Sequence, residues 1–386
     1  MLNFSFQNST QIHFGEGQIQ KISTSIPKDA KVLVTYGGGS IKTNGVYDQV
    51  VAALAEHTWF EFAGIEPNPT YAALMKAQAL IKTHEIDYLL AVGGGSVIDG
   101  TKFIAAAALF QGDDPWDIIA TGAPITAALP MGCILTLPAT GSESNTGAVV
   151  TRDGHKLSFR NDLVRPAFAV LDPAVTLSLS DRQISNGVVD AFVHTVEQYL
   201  TYSVNGKVQD RFAEGLLQTL IEEGPKALAA DTKNDIAVRA NIMWSASLAL
   251  NGLIGAGVPQ DWTTHMIGHE LTGTHGIDHA RTLSILLPAV LKIRTEAKRG
   301  KLLQYAERVW HLTDADEDVR IQRAIELTEQ FFETMQVPTR LKDVNLDASH
   351  IDTLIEKLTQ HHMVKLSEHG DITPDISRKI LMLALN

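Results

Sequence analysis

A chain of 386 residues, 45% of them hydrophobic, is long enough for two domains with cores of their own, which excludes disorder as its default state. Its formal net charge of −12, from 44 acidic against 32 basic residues with no Lys/Arg-rich run, argues against nucleic acid as a partner. A single cysteine, Cys133, excludes an intrachain disulfide framework and thiolate clusters and points to a reducing compartment, the cytoplasm.

In chain order, Met1-Leu2-Asn3-Phe4-Ser5-Phe6 alternates apolar and polar residues like a strand and lacks the basic start and apolar block of a signal peptide. No apolar stretch approaches the roughly 18 to 20 residues that cross a bilayer, so a soluble protein without membrane contact is expected. Lys31-Val32-Leu33-Val34-Thr35-Tyr36 reads as a strand running into Gly37-Gly38-Gly39-Ser40, and Tyr88-Leu89-Leu90-Ala91-Val92 as one running into Gly93-Gly94-Gly95-Ser96. Cys133-Ile134-Leu135-Thr136 enters Pro138-Ala139-Thr140-Gly141-Ser142, and Phe168-Ala169-Val170-Leu171-Asp172 stops at Pro173. Apolar on both faces, these runs suit a mostly parallel sheet covered by helices. After about Leu179 the strand pattern ends, and residues 187–200, 208–223 and 239–250 show helical spacing. The chain therefore divides into an α/β domain over 1–178 and an all-α domain over 179–386.

The two glycine runs have a chemical reading. Several backbone N–H groups must approach a phosphate closely, and glycine removes the Cβ that would stand in the way. A helix beginning near Ser96 would add its free N–H groups, with Asp99 in its first turn. Neither run fits the spaced-glycine dinucleotide fingerprint or the Walker lysine motif, and a tight turn without a ligand is the plain alternative.

In the helical half, Asp190 and His194 lie four apart among apolar neighbours, on one helix face and expected to be buried. His265, His269, His275 and His279 then fall within fifteen positions, where chance would place about half of one histidine. Imidazoles with a carboxylate form the donor set of zinc or ferrous iron, and a buried carboxylate without a partner is costly. Gly268 and Gly273 are expected to interrupt the helix carrying these histidines and to permit close packing. His361 and His362, beside a polar loop, are expected to face solvent. Trp262, Met266 and Ile254 are expected to line an apolar cleft.

Together Glu66-Pro67-Asn68-Pro69, Gly93-Gly94-Gly95-Ser96-Val97-Ile98-Asp99, Leu137-Pro138-Ala139-Thr140-Gly141-Ser142-Glu143, Asp190-Ala191-Phe192-Val193-His194 and the segment from His265 to His279 make the chain resemble the iron-containing alcohol dehydrogenase family. Within it, the likeness is to the NADPH-dependent, butanol-dehydrogenase-like branch of broad-range aldehyde reductases. The resemblance implies a dehydroquinate-synthase-like architecture: a dinucleotide-binding α/β domain, a helical metal- and substrate-binding domain, and a cleft between them. It implies Asp190, His194, His265 and His279 as ligands of one divalent metal, zinc or iron, with zinc favoured in this branch, and His269 as a residue beside the substrate able to carry a proton. It implies Gly37, Gly38, Gly39, Ser40, Asn68, Gly94, Gly95, Ser96, Asp99, Thr136, Leu137, Pro138, Ala139, Thr140 and Lys156 around the cofactor. Family members that use NAD carry an aspartate after the first of these strands. Here Tyr36-Gly37-Gly38 stands in its place, so a 2′-phosphate would meet glycine N–H groups, Ser40 and Lys42 with no carboxylate to repel it, and NADP(H) is expected. The resemblance also implies a homodimer acting on small aldehydes and alcohols. A glycerol-dehydrogenase-like enzyme and a zinc hydrolase are the alternatives. The hydrolase reading lacks the His-Glu-x-x-His arrangement, because Glu270 is followed by no second histidine at the required spacing.

Overall fold

The computed structural model describes residues 1–385, which form two compact units: Gln7–Leu179, and the chain from Ser180 onward together with Met1–Phe6. The first unit is built on six parallel strands in the order β1-β8-β5-β4-β2-β3. They are β1 (Gln11–Phe14), β2 (Lys31–Tyr36), β3 (Thr58–Phe62), β4 (Tyr88–Gly94), β5 (Met131–Leu137) and β8 (Phe168–Leu171). Val32 to Tyr36, Tyr88 to Val92 and all of β8 are buried, as a sheet covered on both faces requires. Helices α1 (Val46–Ala53), α2 (Lys76–His84) and α3 (Gly95–Ala108) belong to this unit. Its core joins Val32, Val34, Leu90, Val92, Ile134, Phe168 and Val170 to Ile19, Ile22, Val46 and Val50.

Strand register decides where the glycine runs fall. Tyr36 pairs with Val92, and Gly93 and Gly94 pair with Leu135 and Leu137 across a bulge. The segments after β2, β4 and β5 thus emerge side by side at the carboxyl ends of three adjacent strands, where open α/β sheets bind their ligands.

An antiparallel hairpin, β6 (Gly147–Arg152) and β7 (His155–Arg160), completes the unit. Asp153 and Gly154 form its two-residue loop with φ of 52° and 78°, the left-handed pair that matches strand twist. The sequence reading had no element here. It also placed a strand at Met1–Phe6, where none forms. Leu2, Phe4 and Phe6 stay 44–51% exposed, and Leu2 N–H reaches Gly257 O at 2.9 Å within the second unit.

The second unit is helical: α4 (Asp181–Tyr199), α5 (Lys207–Lys226), α6 (Ile236–Ala249), α7 (Thr263–His275), α8 (His279–Ile293), α9 (Arg299–Arg308), α10 (Glu317–Thr334), α11 (Ile351–Gln360) and α12 (Pro374–Leu383). Ser180 opens α4 with a capping box shared with Gln183, and from Gly187 to Tyr199 every residue is buried. Helix α7 runs unbroken through Gly268, contrary to the expected interruption. A Cβ at Gly268 would stand 2.7 Å from Thr282 Oγ1, so the glycine lets α8 press against α7 without breaking it. Ile267, Leu271, Ile285, Leu286, Leu354 and Ile380 form the adjoining core. Among the described residues no helix is long and apolar enough to cross a membrane.

Candidate functional site

In the sheet unit, main chain rather than side chains lines the strand ends. A Cβ on Gly95 would lie 2.5 Å from Thr140 Oγ1, so glycine there lets the turn 94–96 sit against the segment that continues from Thr136, Leu137, Pro138 and Ala139 into Thr140. Asn68, at φ 55°, donates its N–H to Ser96 Oγ at 3.3 Å and so joins a third segment to that turn. Helix α3 starts at Gly95, next to Ser96 as expected, but this places Asp99 just past the first turn rather than in it. Both Asp99 oxygens serve the fold: Oδ1 accepts from Ser142 Oγ at 2.5 Å and Oδ2 from Val149 N–H at 3.0 Å. Burial pushes the Asp99 carboxyl above its usual range, against the pull of Lys102 and of Lys156, which stands on β7. Lys102 is fully buried and donates to Ser142 Oγ, Asn145 Oδ1 and Gly147 O at 2.7–2.9 Å. Burial lowers its ammonium to about 8.

After β2, Gly37, Gly38, Gly39 and Ser40 form a partly open turn, with Gly38 and Ser40 exposed. The expectation that no carboxylate stands nearby is corrected here. Glu61 on β3 accepts from Tyr36 Oη at 2.5 Å, from Lys42 Nζ at 3.0 Å and from Tyr47 Oη. Burial opposes ionisation of Glu61, but these three donors together hold its carboxyl below the usual range. Lys42 is held above the usual lysine range by its hydrogen bonds to Tyr36 and Glu61. Glu61 escaped sequence reasoning because β3 pairs with β2 only in three dimensions.

In the helical unit, Asp190 and His265 are buried and His279 is half-buried, and each offers a ligand atom within 4.8 Å of the others. Asp190 comes from the middle of α4, His265 from the first turn of α7 and His279 from the first residue of α8. Gly276, in left-handed conformation, ends α7 by donating to Thr272 O at 2.9 Å and turns the chain into α8. Asp278 accepts from Arg182 and Asn186 of α4 at 2.8 and 2.9 Å, fastening that turn to the helix bearing Asp190. His279 Nε2 lies 3.7 Å from Asp190 Oδ1.

His194 stands outside this trio but touches it: its ring stacks on His265 at 4.5 Å and 26°, and its Nδ1 is 3.8 Å from Asp190 Oδ2. His269 is half-buried, its ring centroid 5.1 Å from that of His279 and 6.4 Å from that of His265. Trp262 packs edge-on to His194 and His265. Asp190 Oδ1 is buried and accepts no hydrogen bond among the described residues, a costly state for a carboxylate oxygen that a cation would relieve. The donor set of this cluster therefore fits a divalent transition metal.

One histidine behaves differently from expectation. His361 does not face solvent: it is 9% exposed and its Nδ1 hydrogen-bonds Glu270 Oε1 at 2.6 Å, whereas His362 is exposed. Of the residues expected to line an apolar cleft, Ile254 is 2% exposed, Met266 packs against the core of α7, α8 and α11, and Trp262 stands edge-on to His194 and His265. The sequence reading also passed over Glu197, 4% exposed, although its helical spacing from Asp190 and His194 on α4 was legible. Glu197 Oε1 accepts the N–H groups of Thr264 and His265 at 2.7 and 3.3 Å, and Oε2 pairs with His265 Nδ1. Burial drives the Glu197 carboxyl well above its usual range.

A covered parallel sheet with glycine turns at its strand ends, and a helical unit presenting a carboxylate among histidines, are the parts from which metal-assisted dehydrogenases are made. The profile described as iron-containing alcohol dehydrogenase matches residues 9–173, and that of the C-terminal part of the same family matches 184–371. The chain belongs to the iron-containing alcohol dehydrogenase family. It is 58% identical over 384 residues to the NADPH-dependent aldehyde reductase YqhD of Escherichia coli, covering 98% of this chain and 99% of the relative. It is 36% identical to the NADH-dependent butanol dehydrogenase A of Clostridium acetobutylicum, with 94% of each chain covered. Among solved structures, E. coli YqhD superposes with a TM-score of 0.97 at 57% identity over 99% of both chains. The NADH-dependent butanol dehydrogenase A of Thermotoga maritima does so with 0.94 at 33% identity, covering 100% of this chain and 99% of that one.

Proposed function

We propose that this protein is a broad-range aldehyde reductase that interconverts small aldehydes and primary alcohols with NADP(H) and one bound divalent metal, iron or zinc, as a cytoplasmic homodimer. The observation that carries the reading is the full-length 58% identity to an NADPH-dependent aldehyde reductase. The buried carboxylate and histidine cluster supports it independently.

When bound, NADPH supplies the hydride and the divalent cation the Lewis acidity that polarises a carbonyl. Asp190, His194, His265 and His279 would hold the cation. His269, next to His279, would carry the proton to the nascent alcohol oxygen, and the Trp262 ring would keep water from the histidines. In the sheet unit, the N–H groups of the turn at Gly94, Gly95 and Ser96, at the start of α3, would bind the pyrophosphate. Gly37, Gly38, Gly39, Ser40 and Lys42 would take the 2′-phosphate, with Glu61 and Tyr36 keeping the Lys42 ammonium charged and in place. Asn68, Asp99, Thr136, Leu137, Pro138, Ala139, Thr140 and Lys156 would shape the rest of the nucleotide site, Asp99 by holding Ser142 and Val149.

The test is an absorbance assay with linear and branched aldehydes, using protein stripped by chelator and reloaded separately with Fe(II) or Zn(II). Aldehyde-dependent consumption of NADPH in preference to NADH, lost on stripping and regained on reloading, is the expected result. A clear preference for NADH would overturn the cofactor assignment, and full activity in stripped protein would overturn the metal assignment.

A further inference from the structure

The N-terminus of α7 is finished by a residue of another helix. Thr263 N–H and Oγ are taken by Asp261 Oδ1 at 2.9 and 2.6 Å, and the next two N–H groups, of Thr264 and His265, go to Glu197 Oε1. Asp261 N–H in turn donates to Glu197 O at 2.9 Å. Lys298, 2% exposed, grips Asp261 Oδ2 and Glu368 Oε1 at 2.9 Å each and donates to Leu200 O just past the end of α4. The end of α4 and the start of α7 are thus pinned together by buried charges. In that frame Glu197 has one oxygen committed to backbone and the other aimed at the Nδ1 of His265.

Against the cost of burial, the two backbone N–H groups on Oε1 and a cation bound across the imidazole both favour Glu197 as a carboxylate, which only accepts hydrogen bonds, so the nitrogen facing it carries the hydrogen. A neutral imidazole then has one lone pair left, on Nε2. We propose that Glu197 is a positioning residue that holds His265 as its Nδ1–H tautomer and so directs Nε2 to the metal. The inference rests on the metal centre of the proposed function. Glu197 does two separable things: Oε1 completes the helix, which any acceptor could do, and Oε2 fixes the ring, which only an acceptor at that second position can do.

Glu197→Gln separates them. The amide oxygen can keep the Thr264 and His265 N–H groups, but the amide nitrogen then donates to Nδ1 and forces the ring hydrogen onto Nε2. Flipping the amide would instead set a donor against two backbone donors. Competitive titration of zinc into stripped protein at pH 8 is expected to give a dissociation constant raised on the order of 10- to 100-fold in E197Q. Circular dichroism and the metal-free unfolding midpoint should stay close to wild type. In cobalt-substituted protein the visible ligand-field band should weaken or shift. Equal zinc affinity in wild type and E197Q would overturn the proposal while leaving the metal centre standing. Failure of both to bind zinc would overturn the metal centre and the proposal with it. Should E197Q fail to fold, a crystal structure of zinc-loaded wild type decides: Nε2 of His265 on the metal supports the proposal, and Nδ1 on the metal overturns it.

Discussion

The strand ends of the sheet unit and the start of α7 in the helical unit solve opposite problems. At the strand ends, the charged groups nearest the glycine turns are already bonded among themselves: Asp99 with Ser142 and Val149, Lys102 with three acceptors, Glu61 with Lys42 and two tyrosines. What remains to face a ligand is backbone N–H, which suits an anion. Around His265, by contrast, Asp190 Oδ1 has no hydrogen bond among the described residues and the supporting charges are sealed from water. That arrangement suits a cation. Two of the lysines differ sharply in exposure: Lys42 is 44% exposed, Lys298 2%.

The comparison can be tested by removing one element from each region. The largest effect is expected at the proposed metal centre. His279→Ala should remove bound metal, read by elemental analysis, and lower turnover about a thousandfold, while NADPH fluorescence titration stays near wild type. Next comes Lys298→Ala, which strands Asp261 and Glu368 as buried carboxylates. It should cost about 3–5 kcal/mol in denaturant unfolding, whereas Lys42→Met, at the exposed pair, should scarcely move stability and should instead raise the KM for NADPH. Equal losses in the two variants would erase the distinction drawn here. Gly95→Ala puts a methyl group against Thr140 and should cost about 1–3 kcal/mol by overpacking, with weaker NADPH binding and unchanged metal content.

The smallest effect concerns the hairpin of the sheet unit. Hydrogen bonds from Tyr71 and then Arg152 lower the Asp114 carboxyl to about 2. Because the folded-state value lies below the unfolded 3.8, its stabilisation is complete above that pH and disappears as pH falls through about 2. Asp114→Asn should therefore lower the unfolding midpoint modestly at neutral pH and match wild type near pH 2. A difference that persists unchanged at pH 2 would show that the ion pair is not its source.

Much of this molecule is legible in one dimension. Strands β2, β4, β5 and β8 announce themselves as continuous apolar runs closed by glycine or proline, because a sheet covered on both faces tolerates no polar alternation. The helices carrying Asp190, His194 and His265 follow from the 3.6-residue period. The β6–β7 hairpin was also legible, since Asp153-Gly154 is a strong two-residue turn signal, but its strands are short and mixed in polarity. Met1–Phe6 misled because alternation marks a strand only where an edge and a buried face await it.

Residue types, their helical spacing and the glycine punctuation were properties of the sequence by itself, and they sufficed for a covered parallel sheet, a helical half and a cluster of carboxylate and imidazole donors able to hold a metal. Only the tertiary structure decided that Glu197 should serve two backbone groups and one imidazole of another helix, that Glu61 should hold Lys42, and that His361 should turn inward to Glu270. The reason is physical. Local periodicity is set by bonds within a few residues, whereas the partner of a buried charge is chosen by whichever distant group folding brings within hydrogen-bond reach once water is excluded.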